Sequence, residues 1–374
     1  AAAMALESGT DLNCGNTYPH MKKAVEKGLV SEELIDRSLM RLFEARFKLG
    51  MFDEPDNVPY IDIPYSVVGS REHRELAHHV AQESIVLLKN KPVAGDKGNL
   101  LPLSDELDSI AVIGPNADEY WTMLGNYSGT PGDMSTPLAG IKSRLGAGTK
   151  VRYAPGSKVT ESVPRMINID SEYLTPSRGQ GPGLYGEYFD NADFKGSPAM
   201  ERVDSSIDFI WRDETPITGK LAEPFSVRWT GKLKAPATGT YTLGVKGMNG
   251  YRLYLDEKLV EGHHVHDPLL QDAEVQLEGG QSYDIKVEYF STGPNPVAQL
   301  KWEIPGQDLL SEASETARKS DAVVLCLGLN AEIEGEEMDI DVEGFKGGDK
   351  TNLSLPATQV ELMKEMYKTG KPVV

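Results

Sequence analysis

Apolar and polar positions follow three rhythms along this chain. Residues 18 to 50 carry the helical one. YPHMKKAVEKG runs to Gly28, a residue that accepts the left-handed conformation closing a helix. Ser31 then suits an N-cap ahead of Glu32 and Glu33, and Ile35, Leu39, Leu42 and Phe43 recur at helical spacing up to Gly50. FDEPDNVPYIDIPY, 52–65, holds three prolines and no period, so it reads as a linker. The second rhythm alternates helix and strand: a helix over 70–90, the strand SIAVIGPNAD, a helix at TPLAGIKSRLG and the strand KVRYAPG. It indicates an α/β sheet.

Between about 180 and 305 the period shortens to two. FSVRWTGKL, GTYTLGVKG, YRLYLDEKLV, QSYDIKVEYF and VAQLKWEI are short aromatic and β-branched segments separated by turn residues, the texture of an antiparallel sandwich. Trp211, Trp229 and Trp302 fall on these strands and are expected in the core. A helix at SEASETARKS and the strand DAVVLCLGLN then restore the α/β texture. The economical account is a β-sandwich inserted into an α/β domain. AAAMALESGTDL and TGKPVV read as interrupted elements, so both ends look cut.

Hydrophobic residues make up 39% and charged residues 25% of the 374, ordinary for a globular protein. The net charge of -19 argues against nucleic-acid partners and anionic membranes. No apolar run approaches the ~20 residues of a membrane span. Cys14 and Cys326 have no metal-like neighbours, and Cys326 reads as a plain buried thiol.

Several segments together resemble glycoside hydrolase family 3. AVEKGLVSEELIDRSLMRLFEARFKLGMFDEP, HRELAHHVAQESIVLLKN, IAVIGPNAD and GGDKTNLSLPATQVELMKEM carry the likeness, in that order. GLYGEYFDN, FSVRWTGKL and TGTYTLGVKGMNGYRLYLD resemble a protective-antigen-type β-sandwich. The implied fold is multidomain α/β. The end of a (β/α)8 catalytic barrel would span 1–52 and a linker 53–69. An α/β sandwich domain would span 70–179 and 306–374, interrupted by the β-sandwich insert at 180–305. In relatives of the insert that bind sugar through calcium, an aspartate pair precedes the YRLYLD-like strand; here Met248-Asn249-Gly250 stands there, which speaks against that mode.

Seven of the twelve residues from Glu332 to Glu343 are carboxylates. A solvated charge run, a calcium loop and a catalytic proton donor compete for them. Asp339, Asp341, Glu343 and Gly344 imitate an EF-hand spacing, but Lys350 stands where a bidentate glutamate is required. No metal or cofactor is therefore expected. A loop leaving the carboxyl end of a strand in an open α/β sheet is where ligands bind. The resemblance implies an acid/base glutamate upstream of Gly348-Asp349-Lys350 and Leu353-Ser354-Leu355-Pro356, and Ile333-Glu334-Gly335-Glu336 aligns Glu336 with it. Glu334 and Glu337 are the next choices.

A retaining glycosidase needs a second carboxyl group roughly 5–5.5 Å from the donor. The resemblance implies a nucleophilic aspartate in a Ser-Asp-Trp-like segment upstream of Ala1. The Ser-Asp pairs present, Ser104-Asp105 and Ser320-Asp321, fall in the α/β domain, so the chain by itself is expected to be inactive. Tyr127 in GNYSGTP, Trp121 just before it and His264 in GHHVHD, read as an insert loop, are candidate substrate contacts. The implied activity is an exo-acting retaining β-glycosidase acting on β-glucosides first and β-xylosides second. Its partners would be such substrates, the missing barrel segment and a possible second copy in a homodimer. The resemblance favours secretion or the periplasm. The rival reading is a non-catalytic carbohydrate-binding or scaffold fragment acting through the insert.

Overall fold

The computed structural model describes all residues except 93–97, 105, 126–127, 130–133, 146–147, 212–214, 217–220, 222, 337 and 339, and except the side chains of 263–271. The chain forms two compact units, Ala1–Val86 and Leu87–Val374.

The first unit is helical: α1 (Ala2–Glu7), α2 (Met21–Glu26), α3 (Glu32–Lys48) and α4 (Arg71–Ser84). Gly28 takes φ +66 just past α2, as expected of a helix stop. Leu6, Ala24 and Val30 form a small core, with Leu34 and Ile35 packed against it. Leu39 and Phe43, expected on the same face, are instead 41% and 37% exposed. Ser31 precedes α3, but its side chain makes no capping bond; its hydroxyl bonds the Glu33 carboxylate instead and holds it below the usual range. The helix expected over 70–90 stops at Ser84. Ile85 is extended, and its β-branched partner Val86 also disfavours helix.

The second unit contains two sheets of different logic. β1 (Ser109–Ile113), α5 (Pro137–Leu145) and β2 (Lys150–Ala154) open it. Ten strands follow: β3 (Ile167–Asn168), β4 (Leu174–Pro176), β5 (Leu184–Phe189), β6 (Met200–Asp204), β7 (Asp208–Ile210), β8 (Phe225–Lys234), β9 (Gly239–Leu255), β10 (Lys258–Leu277), β11 (Ser282–Ser291) and β12 (Val297–Glu303). Then come α6 (Leu309–Arg318), β13 (Ala322–Leu325), three two-residue strands β14 (Asp341–Val342), β15 (Phe345–Lys346) and β16 (Asp349–Lys350), and α7 (Ala357–Lys368).

β13, β1 and β2 form a parallel sheet in that order, and Val373 bridges to Val323 in the same sense. Because side chains alternate across a strand, β1 sends Ala111 and Ile113 into a core with Ala313, Ala317, Leu362 and Met366 of α6 and α7. Ile110 and Val112 pack with Leu138 of α5 on the opposite face. A strand buried on both sides reads as a continuous apolar run, as SIAVI does.

Residues 167–303 build the ten-stranded antiparallel sheet. Trp229 and Trp302 are fully buried in its core, and Trp211 is partly buried against it. Asp204 accepts from Tyr188 Oη at 2.6 Å and from Trp229 Nε1 at 2.7 Å, so the buried polar atoms of both aromatics are satisfied.

Candidate active site

The parallel strands β1 and β13 end side by side, and their loops leave together. Gly114 takes φ +136, and a Cβ there would lie 2.2 Å from the Cys326 carbonyl oxygen, so only glycine allows this approach. Gln359, fully buried on α7, clamps the second loop. Its Nε2 donates to the carbonyls of Gly328 and Val159, and its Oε1 accepts from Gly328 N at 2.8 Å. Asp321 lies at the other end of β13. It accepts from Ser109 N at 2.8 Å and Ser109 Oγ at 2.9 Å, tying together the starts of the two strands.

Asn330 shapes the acidic stretch that follows. Its Oδ1 accepts from Glu332 N at 3.1 Å, and its carbonyl accepts from Ile333 N and Glu334 N. Ile333 is fully buried and pins the turn. Gly335 N donates to Gly348 O at 3.1 Å, where Gly348 takes φ +85. The stretch thus folds back on itself, and β14, β15 and β16 complete a small antiparallel sheet. Lys350 extends its ammonium over the Phe345 ring and donates to Ser354 O. Among the described residues no group of three or more His, Cys, Asp or Glu gathers to hold a metal ion.

An open depression of about 390 Å³ lies between the two loops, lined by Thr122, Leu124, Leu329, Asn330 and Glu334 among others. Glu334 is an exposed carboxylate on its wall, and Glu336 is exposed two residues further along the same turn. Glu337, Asp339 and Tyr127 lie outside the described residues. The GHHVHD segment, read as a loop, is part of strand β10, with His264 opposite Gly250 of β9 and a register shift between Val265 and Leu269. Pairing with β9 runs from Gly262 to Val265 and resumes at Leu269; the side chain of His264 lies outside the described residues.

Trp121 sits in a polar junction between the antiparallel sheet and the loops. Lys246 on β9 and Gln299 on β12 are cross-strand partners, as are Gln299 and Asp208 on β7. Alternation puts these three on the face opposite the apolar core, where Lys246 and Gln299 are nevertheless 5% and 4% exposed. The covering groups come from the loops. Trp121 Nε1 donates to Gln299 Oε1 at 2.8 Å, and its ring centroid lies 4.3 Å from Lys246 Nζ. Lys246 Nζ donates to Glu332 Oε1 at 2.9 Å. Burial holds the Lys246 pKa below the usual lysine range, and Glu332 opposes that shift. Sequence reasoning passed over Lys246 because a lysine at an outward strand position looks like ordinary surface. Only GVKGM, apolar on both sides of it, hinted at burial.

Residues 180–312 match the PA14 domain family. A xylan 1,4-beta-xylosidase of Xylanibacter ruminicola is 32% identical over 382 aligned residues, covering 99% of this chain and 42% of that protein. A β-glucosidase of Kluyveromyces marxianus, solved with glucose, superposes with TM-score 0.57 at 23% identity over 100% of this chain and 45% of its own. A GH3 exo-beta-xylosidase (XlnD) superposes at 0.50 and 20% identity, covering 99% of this chain and 27% of its own. These two likenesses are of fold. The chain spans less than half the length of each of these three relatives. Along its length it is a relative of the β-xylosidases and β-glucosidases of glycoside hydrolase family 3, with a PA14 domain set inside it.

Proposed function

We propose that this chain is the C-terminal part of an exo-acting, retaining β-glycosidase that removes single sugars from non-reducing ends of β-linked oligosaccharides. In this reading residues 1–52 end a (β/α)8 barrel and 53–69 form a linker. Residues 70–179 and 306–374 are expected to make an α/β sandwich domain around an insert at 180–305; the antiparallel sheet also takes in β3 and β4, so the insert begins at Ile167. The name of the relative aligned over 99% of the chain moves β-xylosides ahead of β-glucosides, reversing the order taken from the sequence.

The observation that carries the reading is the acidic turn at the carboxyl end of the parallel sheet, with Glu334 on the wall of an open depression and Glu336 beside it. Glu336 is the proposed acid/base and Glu334 the next choice. The donor protonates the leaving oxygen while a carboxylate roughly 5–5.5 Å away attacks the anomeric carbon. That second carboxylate would come from a segment beyond these residues.

The test is made in the full-length protein, with Glu336→Gln and Glu334→Gln assayed separately on xylobiose and cellobiose. Loss of the acid/base should lower kcat by about 10²–10⁴-fold. An activated 2,4-dinitrophenyl xyloside should lose far less, since its leaving group departs without protonation. Unchanged turnover in both variants would sink the reading.

A further inference from the structure

The outer face of the antiparallel sheet contains a feature that ordinary sheet construction does not need. Alternation should leave Lys246 and Gln299 in solvent, yet both are buried beneath Trp121 and Glu332. A buried ammonium is costly unless paired, and this one is paired with the acidic turn itself. Glu332 donates its backbone N–H to Asn330 Oδ1, the contact that starts the turn. Two residues beyond Glu332 stands Glu334, and two further Glu336. One carboxylate therefore links the PA14 insert to the proposed acid/base segment.

We infer that Lys246 of the insert is a positioning residue for the acid/base turn, acting through Glu332, with the Trp121 ring covering the buried ammonium while the Glu332 side chain stays partly exposed. The inference rests on the glycosidase reading for its consequence but not for its contact. Lys246 faces Glu332, the Trp121 ring, Glu119 on the same loop and the buried Lys301 of β12. Glu332 is the partner whose carboxylate reaches it. Removing the ammonium frees Glu332 to swing outward, and the turn loses its anchor on the insert. Ile333 and the Gly335–Gly348 bond remain, so the turn should loosen without unfolding.

The experiment has two readouts, both in the full-length protein. In hydrogen exchange, Lys246→Met should speed the amides of Ile333, Glu334 and Gly335 by about tenfold, while the core amides of β11 stay protected. Glu332→Gln, which breaks the same contact without touching the sheet, should do likewise, and the double variant should be no faster than either single one. Unchanged exchange in both single variants would overturn the inference. So would deprotection of β11 together with the turn, which would make Lys246 a residue of general stability.

In the assay, Lys246→Met should lower kcat on xylobiose by up to about 10²-fold, the scale of a displaced catalytic group. KM should change little, 2,4-dinitrophenyl xyloside should lose less than about threefold, and Lys246→Arg should recover much of the loss. Equal losses on both substrates would overturn the inference. Full activity in Glu336→Gln and Glu334→Gln would sink the glycosidase reading separately, while exchange would still decide for or against the Lys246 contact.

Discussion

The antiparallel sheet buries Trp229, Trp302, Tyr188, Tyr241 and Phe225 among its strands, and β9 and β10 alone run 17 and 20 residues. The acidic stretch a few residues beyond β13 has three strands of two residues each, one buried isoleucine, and glycines at φ +86, +61 and +85. The first region draws its stability from apolar area and tolerates surface change. The second is fixed by backbone contacts at single residues, so each of those residues matters, while the bulk of its side chains do not. Proposed chemistry sits in the second, where carboxylates can face a depression without a packed core around them.

Four experiments test that contrast. The largest effect should come from Trp229→Ala. It opens a cavity and leaves the buried Asp204 carboxylate without one donor, so about 3–5 kcal/mol should be lost in denaturant unfolding. Gly348→Ala should cost less overall but act entirely on the acidic stretch. A Cβ there would lie 2.0 Å from Gly335 O at φ +85, a strain of about 1–3 kcal/mol. Loss of protection at the Gly335 amide with an unchanged unfolding midpoint for the antiparallel sheet is the expected result. A drop in both would mean that the two regions share their stability.

The third concerns pH. The Ser109 hydroxyl, more than any other group, holds Asp321 below the ordinary aspartate value of 3.8. A depressed carboxylate contributes stability that is fully present above its unfolded pKa and is lost as pH falls through the folded one. Ser109→Ala should raise the folded pKa and move acid unfolding of the parallel sheet to higher pH, read by circular dichroism between about pH 5 and 2. The smallest effect belongs to Lys195→Ala. Its pair with Asp193 is largely exposed, at 78% and 64%, so solvent screens it and its removal should leave the unfolding midpoint unchanged.

Period-two alternation made the antiparallel strands legible, because one face of them enters a large core. SIAVI and DAVVL were legible for the opposite reason, being apolar throughout and short. The acidic stretch was legible as a place but not as a geometry. Its shape depends on Asn330, Gln359 and the Gly335–Gly348 contact, none of which leaves a periodic trace. Lys246 was hidden because burial on the outer face comes from loops distant in sequence. The helix beyond Ser84 was overextended because IVLLKN is apolar enough to mimic one.

One further consequence comes from β3 and β12. Asn168 pairs with Lys301 and Ile167 with Trp302, so the antiparallel module is zipped shut where the chain enters and leaves it. To the parallel sheet the whole module is then topologically equivalent to a single hairpin turn between β2 and α6. Loop-closure entropy grows with the number of flexible residues in a loop, and pairing at the base removes the module's own residues from that count. Exchange of the module for a short linker across the zipped base becomes a practical route to an insert-free variant.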